Sequence, residues 1–193
     1  NFGRMGDIVL GGGAMPEAAA PLTAQVWAEG GAALDAGSVS LSLLPVSNTV
    51  KVGQMFTLTV QVNAGAQAIH AVQMHIDLPS GVNVVTEAGT PSEIIEGSVS
   101  LPIQVTNHVD NSAGTIDYAA SYAGTPPSGT FTLATIRLRA GQPVNHWPIR
   151  FVQLPGRTTD VISGEESVLG ALNSAWVSAG GYSLFLPVIL SSR

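Results

Sequence analysis

The chain has 193 residues, no Cys, and only 10% charged residues beside 45% apolar ones, with a net charge of -6. Against the usual ~25% charged, this composition excludes a solvated disordered tail and a coiled coil, so the chain must bury a core. A single Lys, Lys51, and six scattered Arg leave no basic stripe for phosphates, which excludes nucleic acid as a partner, and the lack of Cys removes disulfide scaffolds, thiolate catalysis and Cys-ligated zinc.

Residues 1–37 are dominated by Gly and Ala, with Gly11-Gly12-Gly13 and Ala18-Ala19-Ala20 around two short apolar runs, Ile8-Val9-Leu10 and Leu22 to Trp27. Pro21 interrupts the one stretch that could be helical, so an extended N-terminal arm is expected here. The chain opens on Asn1 with no basic segment and signal-type apolar stretch, which fits a mature product cut from a precursor.

From Ser38 the texture becomes one of short segments with an apolar residue at every second position. Val39, Leu41 and Leu43 alternate with serines; Phe56, Leu58, Val60 and Val62 with Thr57, Thr59 and Gln61; Val72, Met74, Ile76 and Leu78 with Gln73, His75 and Asp77. The pattern returns at 82–85, at Val99, Leu101, Ile103 and Val105, at 116–122, at Ala134, Ile136 and Leu138, at 149–154 and at 175–178. This is the period of strands with one buried face. Pro- and Gly-containing turns punctuate the gaps, as at Pro79-Ser80-Gly81 and Pro155-Gly156. The expected fold is all-β, an antiparallel β-sandwich of eight or nine strands over residues 38–179. Its predicted core is Leu41, Leu43, Phe56, Leu58, Val60, Val72, Met74, Ile76, Val105, Ile136 and Leu138. Pro102 marks its strand as an edge.

Residues 180–193 hold the run Leu184 to Leu190, apolar at nearly every position but far short of the ~20 residues of a membrane-spanning helix. A strand apolar on both faces needs cover on both, either as the last strand of its own domain or by insertion into a neighbour.

Four segments, taken together, resemble the cohesin and carbohydrate-binding-module group of bacterial extracellular sandwiches: 50–60, Ala71 to Val85, Val109 to Ala119, and Gly129 to Leu138. The resemblance implies a jelly roll, an extracellular setting and a protein-binding role without catalysis. In cohesins a flat face carries the dockerin, and the positions that correspond are Gln73, His75 and Asp77, although the usual Tyr-Asp-Pro turn is replaced by Leu78-Pro79-Ser80. Relatives that bind polysaccharide use rows of aromatic residues, for which Trp27, Trp147, Trp176 and three Tyr are available.

No residue set specifies a reaction. His70 and His75 lie five apart, Glu93/Glu96 and Glu165/Glu166 sit in polar loops, and Gly11-Gly12-Gly13 lacks the Lys-Ser or Lys-Thr of a phosphate loop. No enzyme activity and no cofactor are expected. Asp110, Asn111 and Asp117 are calcium candidates by donor type, yet lack EF-hand spacing and its terminal Glu, so an Asx turn is favoured.

The arms therefore carry the functional expectation. Ile8, Val9, Leu10, Val26, Trp27, Leu184, Leu186, Val188 and Ile189 are the expected interaction residues of a secreted structural subunit that polymerises into a fibre or surface assembly by exchanging terminal strands. The alternative is a monomeric adaptor that binds a dockerin-like protein or a polysaccharide.

Overall fold

The computed structural model describes residues 38–180, so the arms and the interaction residues expected on them lie outside the described residues. Within this range the chain is all-β. In chain order the strands are β1 (Val39–Leu44), β2 (Ser47–Lys51), β3 (Met55–Asn63), β4 (Ala71–Asp77), β5 (Val82–Val84) and β6 (Glu96–Gly97). They continue as β7 (Ile103–Asp110), β8 (Thr115–Ser121), β9 (Thr130–Ala140), β10 (Val144–Phe151) and β11 (Gln153–Leu154). The last are β12 (Arg157–Thr158), β13 (Asp160–Ser163), β14 (Glu166–Ser167), β15 (Leu169–Asn173) and β16 (Ala175–Gly180).

One sheet runs β15-β1-β3-β9-β5, with β6 also on β9. The other carries β7-β8-β4, and beyond β4 it continues through β10 and β16 to β2, with β13 and β14 also on that side. Alternation of buried and open positions along β1, β4 and β8 turns one face of each sheet inward. Leu41, Leu58 and Ile136 of the first sheet join Met74, Ile116 and the fully buried Tyr118 of the second in one core. Burying a Leu or Ile side chain in this way contributes about 1.5–3 kcal/mol.

Sixteen segments replace the eight or nine expected, because the terminal strands change sheet partway and several segments are only two residues long. At Leu44-Pro45, a cis peptide bond, the chain leaves the first sheet as β1 and enters the second as β2. β15 and β16 cross likewise on either side of Ser174. These two crossing strands run side by side, so β1 pairs with β15 and β2 with β16 in parallel, an exception to the antiparallel pattern expected throughout. Segments 47–51, 160–163 and 169–173 had no clean period of two and were not expected as strands.

Two β-bulges decide two core assignments. In β9, Val60 faces Ala134 and Gln61 faces Thr132, leaving Leu133 as the extra residue; it turns inward, and Leu133 and Ala134 are both buried. In β7, Gln104 faces Ala120 and Thr106 faces Ala119, so Val105 is the extra residue, and on this outermost strand it turns to solvent. Val105, expected in the core, is 71% exposed. Val99 is also exposed, since the strand begins at Ile103 rather than at Val99. Phe56 is partly buried and packs against the core from its edge, and the remaining residues predicted for the core are buried.

Candidate partner-binding face

The registers of β7, β8, β4 and β13 or β10 place outward side chains in rows. Ile103, Ser121 and Ala71 form the first with Ile162; Thr106, Ala119 and Gln73 form the second with Asp160. His108, Asp117 and His75 form the third, and Asp110, Thr115 and Asp77 the fourth, with Arg150 beside Asp77. The face grades from apolar and small at one end to charged at the other. Thr115, Ala119 and Ser121 are short, so the β8 stripe stands low between its neighbours.

Along the outer edge of β4 the chain forms a flap. β10 pairs with β4 at Phe151 and Ile76, the chain then leaves as the hairpin β11-β12, and it returns as β13 to pair from Asp160 and Gln73 onward. This excursion would strand the backbone groups of His75. Val152 N donates to His75 O at 2.8 Å, and the buried Thr159 hydroxyl accepts from His75 N at 3.1 Å while donating to His75 O at 3.2 Å. One Thr side chain thus closes the gap in the ladder.

Side chains then pin the flap. Gln73 Nε2 donates to Thr158 O at 3.1 Å and meets His75 Nε2 at 3.0 Å. Arg157 reaches back from the hairpin to Asp77 at 2.8 Å and to Asp117 at 3.0 Å. Asp117 also accepts from His75 Nδ1 at 2.6 Å. Partial burial pushes the Asp117 carboxyl up, but hydrogen bonds from His75 and Arg157, with the Arg157 charge, outweigh it and hold the group below its ordinary value.

Gln73, His75 and Asp77 thus share the outward face, as their period implies, but their polar atoms are engaged by the flap and by Asp117. Gln73 and Asp77 remain exposed on β4, as do Thr106 and His108 on β7, whereas the outward residues of β8 between them are half-buried. Arg157 and the β7 residues carried no sequence signal for this role; only the register reveals them.

The calcium candidates are not gathered. Asp110 Oδ1 accepts from the amides of Ser112 at 2.8 Å and Ala113 at 3.0 Å, which is the Asx turn favoured by its sequence context. The Ser112 hydroxyl, which also donates to Asp110, and then these two amides hold the carboxyl below its ordinary value. Asn111 clamps a neighbouring strand through Val84 N at 2.7 Å and Val84 O at 3.1 Å, while Asp117 belongs to the flap network. Among the described residues, no group of three or more His, Asp or Glu is placed to hold a metal. Glu96 pairs with Arg137 at 2.9 Å.

This two-sheet arrangement is a cohesin-type fold. A type II cohesin domain from the cellulosome of Acetivibrio cellulolyticus matches with a TM-score of 0.58 at 13% identity, over 73% of this chain and 94% of that one. A type II cohesin-X-dockerin complex from the same organism matches at 0.52 and 16% identity, over 74% and 99%. A non-cellulosomal cohesin from the archaeon Archaeoglobus fulgidus matches at 0.54 and 11%, over 73% and 91%. No protein-family model and no curated protein sequence matches the chain.

Proposed function

We propose that the chain is a non-catalytic, extracellular adaptor module that receives a dockerin-like protein on the outer face of β7, β8 and β4. The observation that carries this reading is the cohesin-type fold, shared with a protein solved in a cohesin-X-dockerin complex. The face itself supports it. Its low β8 stripe accepts a partner's side chains, and its charged end offers Asp110 and His108 as directional contacts near the rim. Titrating the full chain with type I and type II dockerin modules tests the reading: saturable one-to-one binding supports it, and no binding to either type contradicts it.

A second reading, the fibre built by strand exchange, has one structural support. β7 is the outermost strand beyond β8 and exposes Ile103 and Val105 at its start, where an incoming strand could add; further along, the edge is taken by residues 93–95, with Val109 N donating to Glu93 O at 2.8 Å. The donor segments lie outside the described residues. Sedimentation velocity over a wide concentration range separates the readings, since an adaptor stays monomeric where a fibre subunit grows.

A further inference from the structure

We infer that the segment Pro143–Trp147 carries a binding site for a neutral glycan, on residues separate from the partner-binding face. Two open clefts flank it. One, of about 220 Å³, is lined by Ser80, Gln142, Pro143, Val144 and Trp147. The other, of about 380 Å³, shares Pro143 and Val144 and adds Thr49, Asn145 and Ser178 with the strand end Ala179-Gly180. No lining residue of either cleft is charged.

The backbone here is built unusually. Val144 pairs with Ala179 and Trp147 with Val177, so β10 holds one more residue than β16 over this span. The bulge contains His146, a non-glycine residue at φ 47°, in the left-handed region where a side chain is rarely accommodated. Its amide donates to Ser178 Oγ at 3.2 Å, and its ring stacks on Trp176 at 4.4 Å, nearly parallel at 6°. A strained residue held by its neighbours points to a site whose shape matters.

What the bulge positions is Trp147. It shares a side of the sheet with the buried Val177, yet it is 55% exposed over the cleft of Ser80 and Gln142. An exposed indole offers a broad apolar plane that gains by being covered. Beside it, Ser80 and Gln142 supply a hydroxyl and an amide, groups that both donate and accept, and Asn145, Ser178 and Thr49 do so across the ridge. The C–H face of a pyranose ring covers an indole while its hydroxyls pair with amides and hydroxyls, and an uncharged lining favours an uncharged sugar. An apolar peptide anchor would instead need a deep, water-free pocket. Trp176, paired with Pro148, stands on the opposite side of the sheet and the buried Tyr118 takes no part, so the aromatic plane over the cleft is that of Trp147, which no row of aromatic residues in the sequence marks.

The test is calorimetric titration of the full chain with cellohexaose, xylohexaose and mannohexaose in turn. At least one should bind saturably. Trp147→Ala should weaken that binding about tenfold or more, and Gln142→Ala, at an exposed position, should weaken it without changing the melting temperature. Ala119→Arg, on the partner-binding face, should bind the same glycan as the wild type does. Failure of all three glycans to bind overturns the inference, as does binding that Trp147→Ala and Gln142→Ala leave unchanged.

Discussion

His75 and Asp117 face each other across β4 and β8 with Nδ1 and Oδ1 2.6 Å apart. Because Gln73 Nε2 is a donor to Thr158 O, it can only donate to His75 Nε2 as well, so that ring nitrogen accepts and the proton sits on Nδ1, directed at Asp117. Asp117 therefore collects donors from two elements, His75 on the sheet and Arg157 on the flap, and ties one to the other.

Asp117→Asn should lower stability by about 1–2 kcal/mol near neutral pH, the scale of hydrogen bonds to a charged group in a partly open site. The carboxyl pKa is lowered on folding. Its contribution is then fully present above the unfolded value of about 3.9 and is lost as pH falls through the lower folded value. Urea denaturation of both proteins should show the gap narrowing from about pH 5 toward pH 2. A gap independent of pH would contradict the charged network.

Arg157→Ala should loosen the flap while leaving the sandwich intact. The amides of Val152 and Thr159 are hydrogen-bonded at the flap's base, to His75 O and Val152 O. Hydrogen exchange at these two should quicken, while exchange in β3 and β9 stays at the wild-type rate. Uniform acceleration through the sheets would mean that the flap and the sandwich open as one.

Two asparagines act as strand partners in place of backbone. Asn107 bonds Ile95 N at 2.9 Å and Ile95 O at 2.8 Å, and Asn111 does the same for Val84. Replacing either with Ala leaves buried backbone groups unpaired and should cost roughly 1–3 kcal/mol in chemical denaturation. A loss under about half a kcal/mol would show that water replaces the amide without penalty.

The core and the bulge make a paired prediction. Leu58→Ala, at a fully buried position, should cost about 2–5 kcal/mol, whereas Val105→Ala should fall within about 0.5 kcal/mol of wild type. Equal losses at both positions would place Val105 inside after all.

The same pair shows what could be read in advance. Leu58 lies in a strand whose register is regular over that stretch, and there a period of two states which face is buried. Val105 looked equivalent, but a bulge shifts the period by one, and bulges depend on the facing strand rather than on local composition. The short strands 47–51 and 160–163 are hidden for a related reason: Ser47–Lys51 turns no residue fully inward, and its one apolar residue, Val50, cannot mark a period. Of the outer face, Gln73, His75 and Asp77 were legible as outward. Their partners are distant in the chain: Asp117 stands 42 residues from His75, and Arg157 stands 80 from Asp77. Nothing local in Pro155-Gly156-Arg157 separates an ordinary turn from a flap aimed at two carboxylates.

The adaptor reading stands or falls on the low stripe of the β7-β8 face, and the measurement that reaches it most directly is dockerin binding by a Thr106→Arg/Ala119→Arg double variant. Both residues lie outward in one row, so two long cations there should fill the space a partner needs and leave the core untouched. The account predicts that calorimetric titration detects binding by the wild type and none by the variant, at equal melting temperatures. Wild-type affinity in a folded variant would contradict it.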